Sequence, residues 1–598
     1  MDGRSSKEFE PDEHTVVEGE QEVHSFSDTA LKARQLPPWT GHGPNPFRTG
    51  DDENEEIDMP QLRASATLSR VVSREKFGSQ RVTSYVVFVC VVAACGGLLF
   101  GYSLAITGGL GAMEGFVDRF FAQPVQQQND DRDLTEAVTY CQDANLSGIG
   151  FYTSSLFLAG AFVSPLTYWF THRMGRRASI LMAGVSYLFG GVLQTAAVHV
   201  SMLYLGRVFT GVAVSFANQS VPVFLSEMAP PKLRGALSMG FQFAVTLGIL
   251  LSQILTFLMN EVSAGQGWRY ALALSNFPAV VVLIGGFLLP DTPNSLVARG
   301  LEDEGRRVLQ RIRGADNVAV EFMDIVDAAS NAGGEHSWHS LFRRDHRPQL
   351  VIAVVVPVVQ QLTGANAVLF YAPLIFETTG ASTASALLRN VILGATNVLA
   401  TALAVVIVDR AGRRVLLLEG LAQMLVAMAG MAAALASAGS SGALSGGLAA
   451  VLLAMVLVFF TGYAWSWAGL AWVIPNEVQP LDSRATGQAV AVFCNFLATF
   501  VVGQTFPVML CAMEWGVYLF YGGCMVLGGA FTALLIPETK GLGIEDIYFL
   551  FTGHWFWSCF FSEEQKESVV LEDADRRTLG NPGGRLSTVM SRAAAPRL

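Results

Sequence analysis

The chain has 598 residues, of which 51% are hydrophobic and only 15% are charged, and its mean hydropathy is +0.40. This composition leaves too little polar surface for a soluble protein and predicts a polytopic membrane protein. The formal net charge of −11 argues against nucleic acid as a partner, because phosphate binding needs clustered cations. Seven scattered cysteines show no metal-ligand spacing, so we expect no metal site and no cofactor.

Twelve apolar stretches follow a polar N-terminal tail. Residues 1–80 are rich in acids and lack any apolar period, which predicts a disordered cytoplasmic tail. From Val82 onward the apolar stretches reach about 20 residues, the length that crosses ~30 Å of hydrocarbon as a helix. We predict spans at 82–107, 150–170, 179–198, 202–225, 236–260, 268–290, 348–376, 385–408, 415–437, 447–475, 487–511 and 515–536.

The distribution of cations predicts the orientation of these spans. The loops HRMGRR at 172–177, KLRG at 232–235 and DRAGRR at 409–414 all fall on one side, which the positive-inside rule makes cytoplasmic. Both termini are then cytoplasmic, and loop 112–149 lies outside. Residues 291–347 form a cytoplasmic linker in which apolar residues recur at helical spacing, and residues 541–598 form a cytoplasmic tail.

Three echoes between residues 81–290 and residues 348–540 indicate an internal duplication. MGRR at 174–177 matches AGRR at 411–414, Glu227 with Arg234 matches Glu477 with Arg484, and PDTP at 290–293 matches PETK at 537–540. The offsets of 237, 250 and 247 residues are close to one value. We therefore predict an all-α membrane protein with two pseudo-symmetric six-helix halves, an arrangement that suits alternating access to a site at the midplane.

Amide side chains inside the spans predict where a polar path runs, since a polar group in hydrocarbon must face the bundle interior or water. Converging amides can pair with the hydroxyls of a neutral sugar, and the Trp472 ring can lie against the CH face of a pyranose. The alternative is that the amides join helices to each other. QQLTGAN, with a break expected near Gly364, favours a site. The six candidate amides are Gln242, Gln360, Gln361, Asn366, Asn397 and Asn495.

Arg207 is the clearest ionisable residue deep within a span, and an unpaired guanidinium there costs at least ~2.5 kcal/mol. Ser103 lies near the same depth in the first span, and that span has no carboxylate at this level. The alternative is a structural arginine that bonds backbone carbonyls or extends to the interface.

A second set of charges lies where the halves meet at the cytoplasmic face. Bonds between these side chains would hold an inner gate closed and break when it opens. The alternative, topology signalling, explains the arginines and leaves the glutamates unexplained. The candidates are Glu227, Arg234, Asp409, Arg413, Glu477 and Arg484.

Cys141 and Cys511 both face the outer, disulfide-permissive side. The sequence leaves open whether their Cα atoms approach within bridging range.

Taken together, the motifs of this chain resemble those of the sugar porters of the major facilitator superfamily, most closely the monosaccharide/proton symporters of plants and green algae. The resemblance runs from about residue 82 to residue 561. It is carried by GGLLFGYS at 96–103, GRVFTG at 206–211, VPVFLSEMAPPKLRG at 221–235, QQLTGANAVLFYAP at 360–373, VDRAGRR at 408–414, WSWAGLAWVIPNE at 465–477 and PETKG at 537–541.

This resemblance implies a twelve-helix transporter of a hexose such as glucose in the plasma membrane. In it Phe100 and Leu104 would close over the sugar, and Cys141 and Cys511 match the extracellular cysteine pair of the plant members, with loop 112–149 as the lid. The hexose contacts would be Gln242, Gln360, Gln361, Asn366, Asn397, Trp472, Asn495 and Thr499.

One departure concerns proton coupling. The proton-coupled members have GYD where this chain has GYS, and in them that aspartate exchanges its proton while paired to the arginine matching Arg207. Ser103 cannot titrate near neutral pH. We therefore expect either uncoupled downhill transport or coupling through another group, while a non-transporting sugar sensor is an alternative of a different class. An enzyme has little support, because no nucleophile, base and orienting residue occur together.

Overall fold

A computed structural model describes residues 83–121, 146–229, 234–262, 265–314, 318–331, 337–377, 380–437, 446–480, 483–540 and 550–566. Within these residues all regular structure is helical, and twelve helices are long and apolar enough to cross a membrane. The predicted N-terminal tail and most of the outer loop 112–149 lie outside the described residues.

We number the twelve spans in chain order. Each predicted span overlaps an observed one, and the ends differ by a few residues, because capping groups and the polar ends of the helices set the true boundaries. The spans are Ser84–Ala112, Leu146–Met174, Arg176–Thr195, Val200–Met228, Arg234–Asn260, Gly267–Leu274 with Asn276–Leu288, Arg347–Leu362 with Ala365–Glu377, Thr383–Ala411, Arg413–Ala436, Gly446–Trp465 with Trp467–Val478, Arg484–Met513, and Gly516–Leu535.

Spans 6, 7 and 10 are each broken into two helices. The predicted break near Gly364 is confirmed: Gly364 has a φ of +78°, a left-handed conformation that interrupts the helix between Leu362 and Ala365. The ring of Tyr521 packs on Gly364, so that a Cβ there would lie 2.9 Å from Tyr521 Cγ. The chain gave no comparable signal for the breaks at Ser275 and Ser466, which we did not predict.

The two halves of the bundle, spans 1–6 and spans 7–12, meet along three seams. Span 2 packs against span 11, span 5 packs against span 8, and span 1 packs against the second helix of span 7. The site described below lies between these seams.

We call the end of the bundle that carries Arg176, Glu227, Arg413 and Glu477 the charged end, and the other the opposite end. The linker lies at the charged end and confirms the expected amphipathic helices, with Glu302–Arg313 and Ala319–Asn331 among them. Arg313 Nη1 donates to Met228 O (3.1 Å) at the end of span 4. Thr83, which caps span 1, donates to Ile312 O (2.9 Å). These bonds attach the linker to the N-terminal half.

A short segment after span 12 packs against the C-terminal half. Trp557 is buried, and its indole N–H donates to Leu535 O (2.7 Å), one of the carbonyls that the end of span 12 leaves without an intrahelical partner. Arg344 Nη2, just before span 7, donates to Cys559 O (2.9 Å). This part of the predicted C-terminal tail therefore extends the packing of the C-terminal half.

Candidate functional site

Four of the six candidate amides come together in one buried cluster, which we call the amide cluster: Gln360, Gln361, Asn366 and Asn495. Asn495 Nδ2 donates to Gln360 Oε1 (2.7 Å), and Asn366 Nδ2 donates to Gln361 Oε1 (2.6 Å). Two longer bonds, from Gln361 Nε2 to Gln360 Oε1 (3.4 Å) and to Asn495 Oδ1 (3.3 Å), close the cluster. The sequence predicted the members, and the fold of spans 7 and 11 brings them together.

The two helix breaks surround this cluster. Asn366 reaches Gln361 across the break at Gly364, so the interruption of span 7 turns residues on both sides of it toward one point. Gln360 Nε2 donates to Trp467 O (3.0 Å) beside the break in span 10. Trp472 is half-buried one turn further along span 10. Thr499 is buried next to the cluster, and its hydroxyl donates to Asn495 O (2.7 Å) of its own helix.

The other two candidate amides lie on spans 5 and 8, which face each other across a seam. Gln242 is 8% exposed, and its side chain lies close to Gly469 in span 10. The carbonyl of the residue that precedes Gly469 is a contact of Gln360. Asn397 is 3% exposed, and within the described part of the chain its Oδ1 has no hydrogen-bond partner. An unpaired buried carbonyl oxygen is costly unless a ligand or water supplies a donor.

Aromatic rings from both halves meet on the helices that carry the cluster. Phe100 in span 1 contacts Phe496 in span 11 (centroids 6.1 Å apart), and Phe157 in span 2 stacks on Phe370 in span 7 (5.6 Å). Leu104, one turn beyond Phe100, is buried. The closing of Phe100 and Leu104 over a sugar stays a prediction.

Spans 1 and 7 come close together toward the opposite end. Gly108 in span 1 packs against the backbone of Phe370 so closely that a Cβ would lie 2.6 Å from Phe370 O. A small cavity remains beside this contact, and Thr107, Thr153 and Leu374 are among the residues that line it.

Arg207 is 1% exposed and binds backbone groups. Its Nε donates to Tyr152 O (3.1 Å), its Nη2 to Thr153 O (2.9 Å) and its Nη1 to Ser103 O (3.4 Å). The guanidinium also lies over the Tyr152 ring, 5.0 Å from its centroid. Ser103 lies beside Arg207, as its depth in span 1 predicted. The partners of Arg207 are backbone carbonyls, as expected for the alternative of a structural arginine.

The Ser103 side chain points elsewhere. Its Oγ donates to the Tyr187 hydroxyl (2.9 Å) in span 3, and both residues are buried. Sequence reasoning missed Tyr187, because nothing in the chain near it distinguishes it from a core tyrosine.

At the charged end each half carries the same cluster. Arg176 Nη2 donates to Glu227 (3.1 Å), and Arg413 Nη2 donates to Glu477 (3.2 Å). Each pair joins neighbouring spans of one half, and the role of these residues in an inner gate stays a prediction. Arg484 Nη2 donates to Gln479 O (3.5 Å) within its own half. The side chains of Arg234 and Asp409 lie outside the described residues.

A second acid completes each charged cluster. Asp291 accepts from the backbone N–H of Arg176 (3.1 Å) at the start of span 3, and Glu538 accepts from that of Arg413 (2.9 Å) at the start of span 9. Acids are favoured at helix N-termini because the backbone N–H groups there are unpaired. Sequence reasoning assigned no role to these acids or to Arg176, although the PDTP and PETK echo contained the signal.

Cys141 lies outside the described residues, so its pairing with Cys511 stays a prediction. Peptide mapping without reductant tests it.

Comparison with known proteins gives the family. Residues 89–551 match the model of the family described as Sugar (and other) transporter. The chain is 41% identical over 512 residues to Sugar transport protein MST5 of Oryza sativa subsp. japonica, covering 85% of this chain and 96% of the relative. It is 42% identical over 487 residues to Sugar transport protein 10 of Arabidopsis thaliana, covering 81% and 94%.

Solved structures agree with this result. The proton:xylose symporter XylE of the major facilitator superfamily, bound to 6-bromo-6-deoxy-D-glucose, superposes with a TM-score of 0.66 and is 28% identical, covering 78% of this chain and 99% of that one. A partially occluded inward-open XylE from E. coli gives a TM-score of 0.63 at 27% identity, with 77% and 100% covered. The chain therefore belongs to the sugar transporter family of the major facilitator superfamily.

Proposed function

We propose that this protein carries a monosaccharide, a hexose such as glucose, across the plasma membrane by alternating access, with the sugar bound at the amide cluster. The observation that carries the proposal is the buried cluster of Gln360, Gln361, Asn366 and Asn495, on helices where rings from both halves meet. We further propose that the charged end faces the cytoplasm and that both termini lie there, as the loop cations predict.

The chemistry of the cluster suits a neutral polyol. Each amide supplies two donors and an acceptor, so that a sugar hydroxyl can replace an amide–amide bond without leaving a buried group unpaired. The two bonds of Gln361 at 3.3 and 3.4 Å are the weakest of the cluster and the easiest to exchange. Asn397 offers an acceptor from span 8, and the face of Trp472 suits the CH face of a pyranose.

We propose that this transport is downhill and uncoupled from protons. Arg207 satisfies its donors with the carbonyls of Tyr152, Thr153 and Ser103, so its partners in the described part of the chain carry no proton that exchanges near neutral pH. The Ser103 hydroxyl is held by Tyr187. No proton then binds to or leaves this arginine and its partners as the sugar moves. A proton gradient therefore cannot drive the transport through them.

The test is radiolabelled glucose uptake by purified protein in liposomes, with and without an inward proton gradient, for the native chain, Ser103→Asp and Ser103→Asn. We expect the native chain to equilibrate glucose regardless of the gradient. Ser103→Asp introduces a carboxylate at the residue whose backbone carbonyl accepts from Arg207, and a rotamer turned away from Tyr187 would pair it with the guanidinium; this variant is expected to accumulate glucose when the gradient is present. Ser103→Asn adds nearly the same volume without the acid and is expected to behave as the native chain.

Three outcomes contradict parts of this proposal. Gradient-driven accumulation by the native chain refutes the uncoupled mechanism and locates coupling in another group. Glucose binding without flux favours a sensor over a transporter. Absence of binding and flux for glucose and for other hexoses refutes the substrate class.

A further inference from the structure

Two hydrogen bonds join the halves near the opposite end. Gln253 Nε2 in span 5 donates to Asn390 Oδ1 in span 8 (3.0 Å). Ser154 Oγ in span 2 lies 3.1 Å from Gln504 Oε1 in span 11, and its one proton is shared between this oxygen and Gly150 O of its own helix (2.8 Å). Each bond therefore crosses one of the two long seams between the halves.

The two bonds are related by the internal repeat. Asn390 follows Ser154 by 236 positions, and Gln504 follows Gln253 by 251 positions. The repeat offsets are 237 residues for the motifs at the charged ends of spans 2 and 8, and 250 residues for the glutamates that precede spans 5 and 11. In both bonds, therefore, a glutamine in the fifth helix of one half pairs with a polar residue in the second helix of the other half.

Both bonds lie between the amide cluster and the opposite end. Gln504 is nine residues nearer that end than Asn495 of the amide cluster on span 11, and Asn390 is seven residues nearer that end than the candidate amide Asn397 on span 8. A sugar that moves between the cluster and the opposite end must therefore pass the level at which these bonds hold the halves together.

The span 5–8 bond is buried and closely packed. Gln253 and Asn390 are each 1% exposed. Gly394, one turn along span 8, allows this approach, because a Cβ at that position would overlap the Gln253 amide. Ser154 is also fully buried, while Gln504 is partly exposed. A bond between neutral groups in such surroundings is not replaced by water until the helices separate.

We propose that these two bonds form a symmetric latch, Gln253–Asn390 and Ser154–Gln504, that holds the opposite end closed and must break for the sugar to pass that end. This inference rests on the proposed alternating access. Neutral groups suit a latch that must open in each cycle, because breaking a buried ion pair would leave two charges in a poorly hydrated seam. The latch residues position the halves and need not touch the sugar.

The latch predicts a side-dependent effect on the Michaelis constant. Interhelical hydrogen bonds in membranes are weak enough that losing one shifts a conformational equilibrium about 3-fold on average. When the state open at the opposite end is the minor one, the apparent affinity from that side scales with its population. Asn390→Leu or Ser154→Ala should each lower the KM for glucose from the opposite side about 3-fold, and the double variant about 9-fold.

The experiment measures zero-trans KM values in right-side-out and inside-out vesicles and compares their ratio between variants. Thr256→Val is the matched control: Thr256 is buried one turn from Gln253, and within the described ranges its hydroxyl bonds only carbonyls of its own helix, Ser252 O and Gln253 O. The control should leave the KM ratio unchanged. Asn390→Leu leaves the Gln253 amide without its partner in span 8. The double variant Gln253→Met/Asn390→Leu replaces both groups by apolar side chains, and it should move the KM ratio in the same direction.

A second readout does not require flux. Leu374, 9% exposed, lines the small cavity at the opposite end, and Leu374→Cys should react faster with a membrane-impermeant maleimide when the latch is removed. An unchanged KM ratio and unchanged labelling refute the latch, as does an equal change in the Thr256→Val control. A native chain that moves no sugar refutes the proposed function, and the labelling then decides the latch by itself.

Discussion

Asn495→Leu separates a sugar-binding cluster from one that only joins helices. Asn495 donates to Gln360 (2.7 Å) and accepts from Gln361 (3.3 Å), so leucine removes both bonds while roughly keeping the side-chain volume. At an average of ~0.6 kcal/mol for each interhelical bond in a membrane, the loss of stability is about 1 kcal/mol.

The expected loss of sugar affinity is larger. Asn495 can give a bound sugar one donor and one acceptor, and each neutral hydrogen bond contributes about 1 kcal/mol. The loss of one contact weakens binding about 5-fold and the loss of both about 30-fold. We therefore expect the Kd for glucose to rise between about 5-fold and about 30-fold, well beyond the change that the stability loss alone would cause.

The assay is equilibrium binding of glucose to purified protein, with thermal unfolding of the same sample. Thr532→Val is the control: Thr532 is fully buried in span 12, and its hydroxyl donates to Gly528 O (2.8 Å) of its own helix. The control should leave the Kd unchanged. If Asn495→Leu lowers the unfolding temperature but keeps the native Kd, the amides only join helices and the proposed site is refuted.

Two further predictions concern the charged end and the break in span 7. Glu477→Gln removes the ion pair with Arg413 (3.2 Å) but keeps a hydrogen-bond acceptor. The rate of glucose uptake should fall by up to about 5-fold, with little change in the Kd for glucose. An equal change in Kd would contradict the view that this ion pair acts on the movement of the helices and not on sugar binding. Gly364→Ala should destabilise the protein by about 1–3 kcal/mol, because the φ of +78° at residue 364 disfavours a Cβ. Gly523→Ala is the control and should be neutral, because there is open space around that position. The unfolding temperatures of the two variants test this difference.

The sequence by itself determined the spans, because a helix must present about 20 apolar residues to the hydrocarbon and each such stretch is visible without any neighbour. It also determined the duplication and the break at Gly364, and it singled out six amides inside apolar helices, four of which form the amide cluster. The linker helices followed from their amphipathic period.

Only the tertiary structure decided which groups pair. Arg207 binds backbone carbonyls. Because every residue has a backbone carbonyl, the sequence could not identify which ones pair with Arg207. Likewise, Glu227 pairs with Arg176 and Glu477 pairs with Arg413, and these partners are set by the packing of spans 3 and 4 and of spans 9 and 10.

The seam bonds illustrate the same limit. Gln253 and Asn390 are 137 residues apart, and neither differs in type from the amides that build the cluster. Their pairing depends on the angle at which spans 5 and 8 cross and on the missing side chain of Gly394. Local physics fixes which helices form and where they end, whereas the partners of buried polar groups are fixed by how close two helices distant in sequence come to each other.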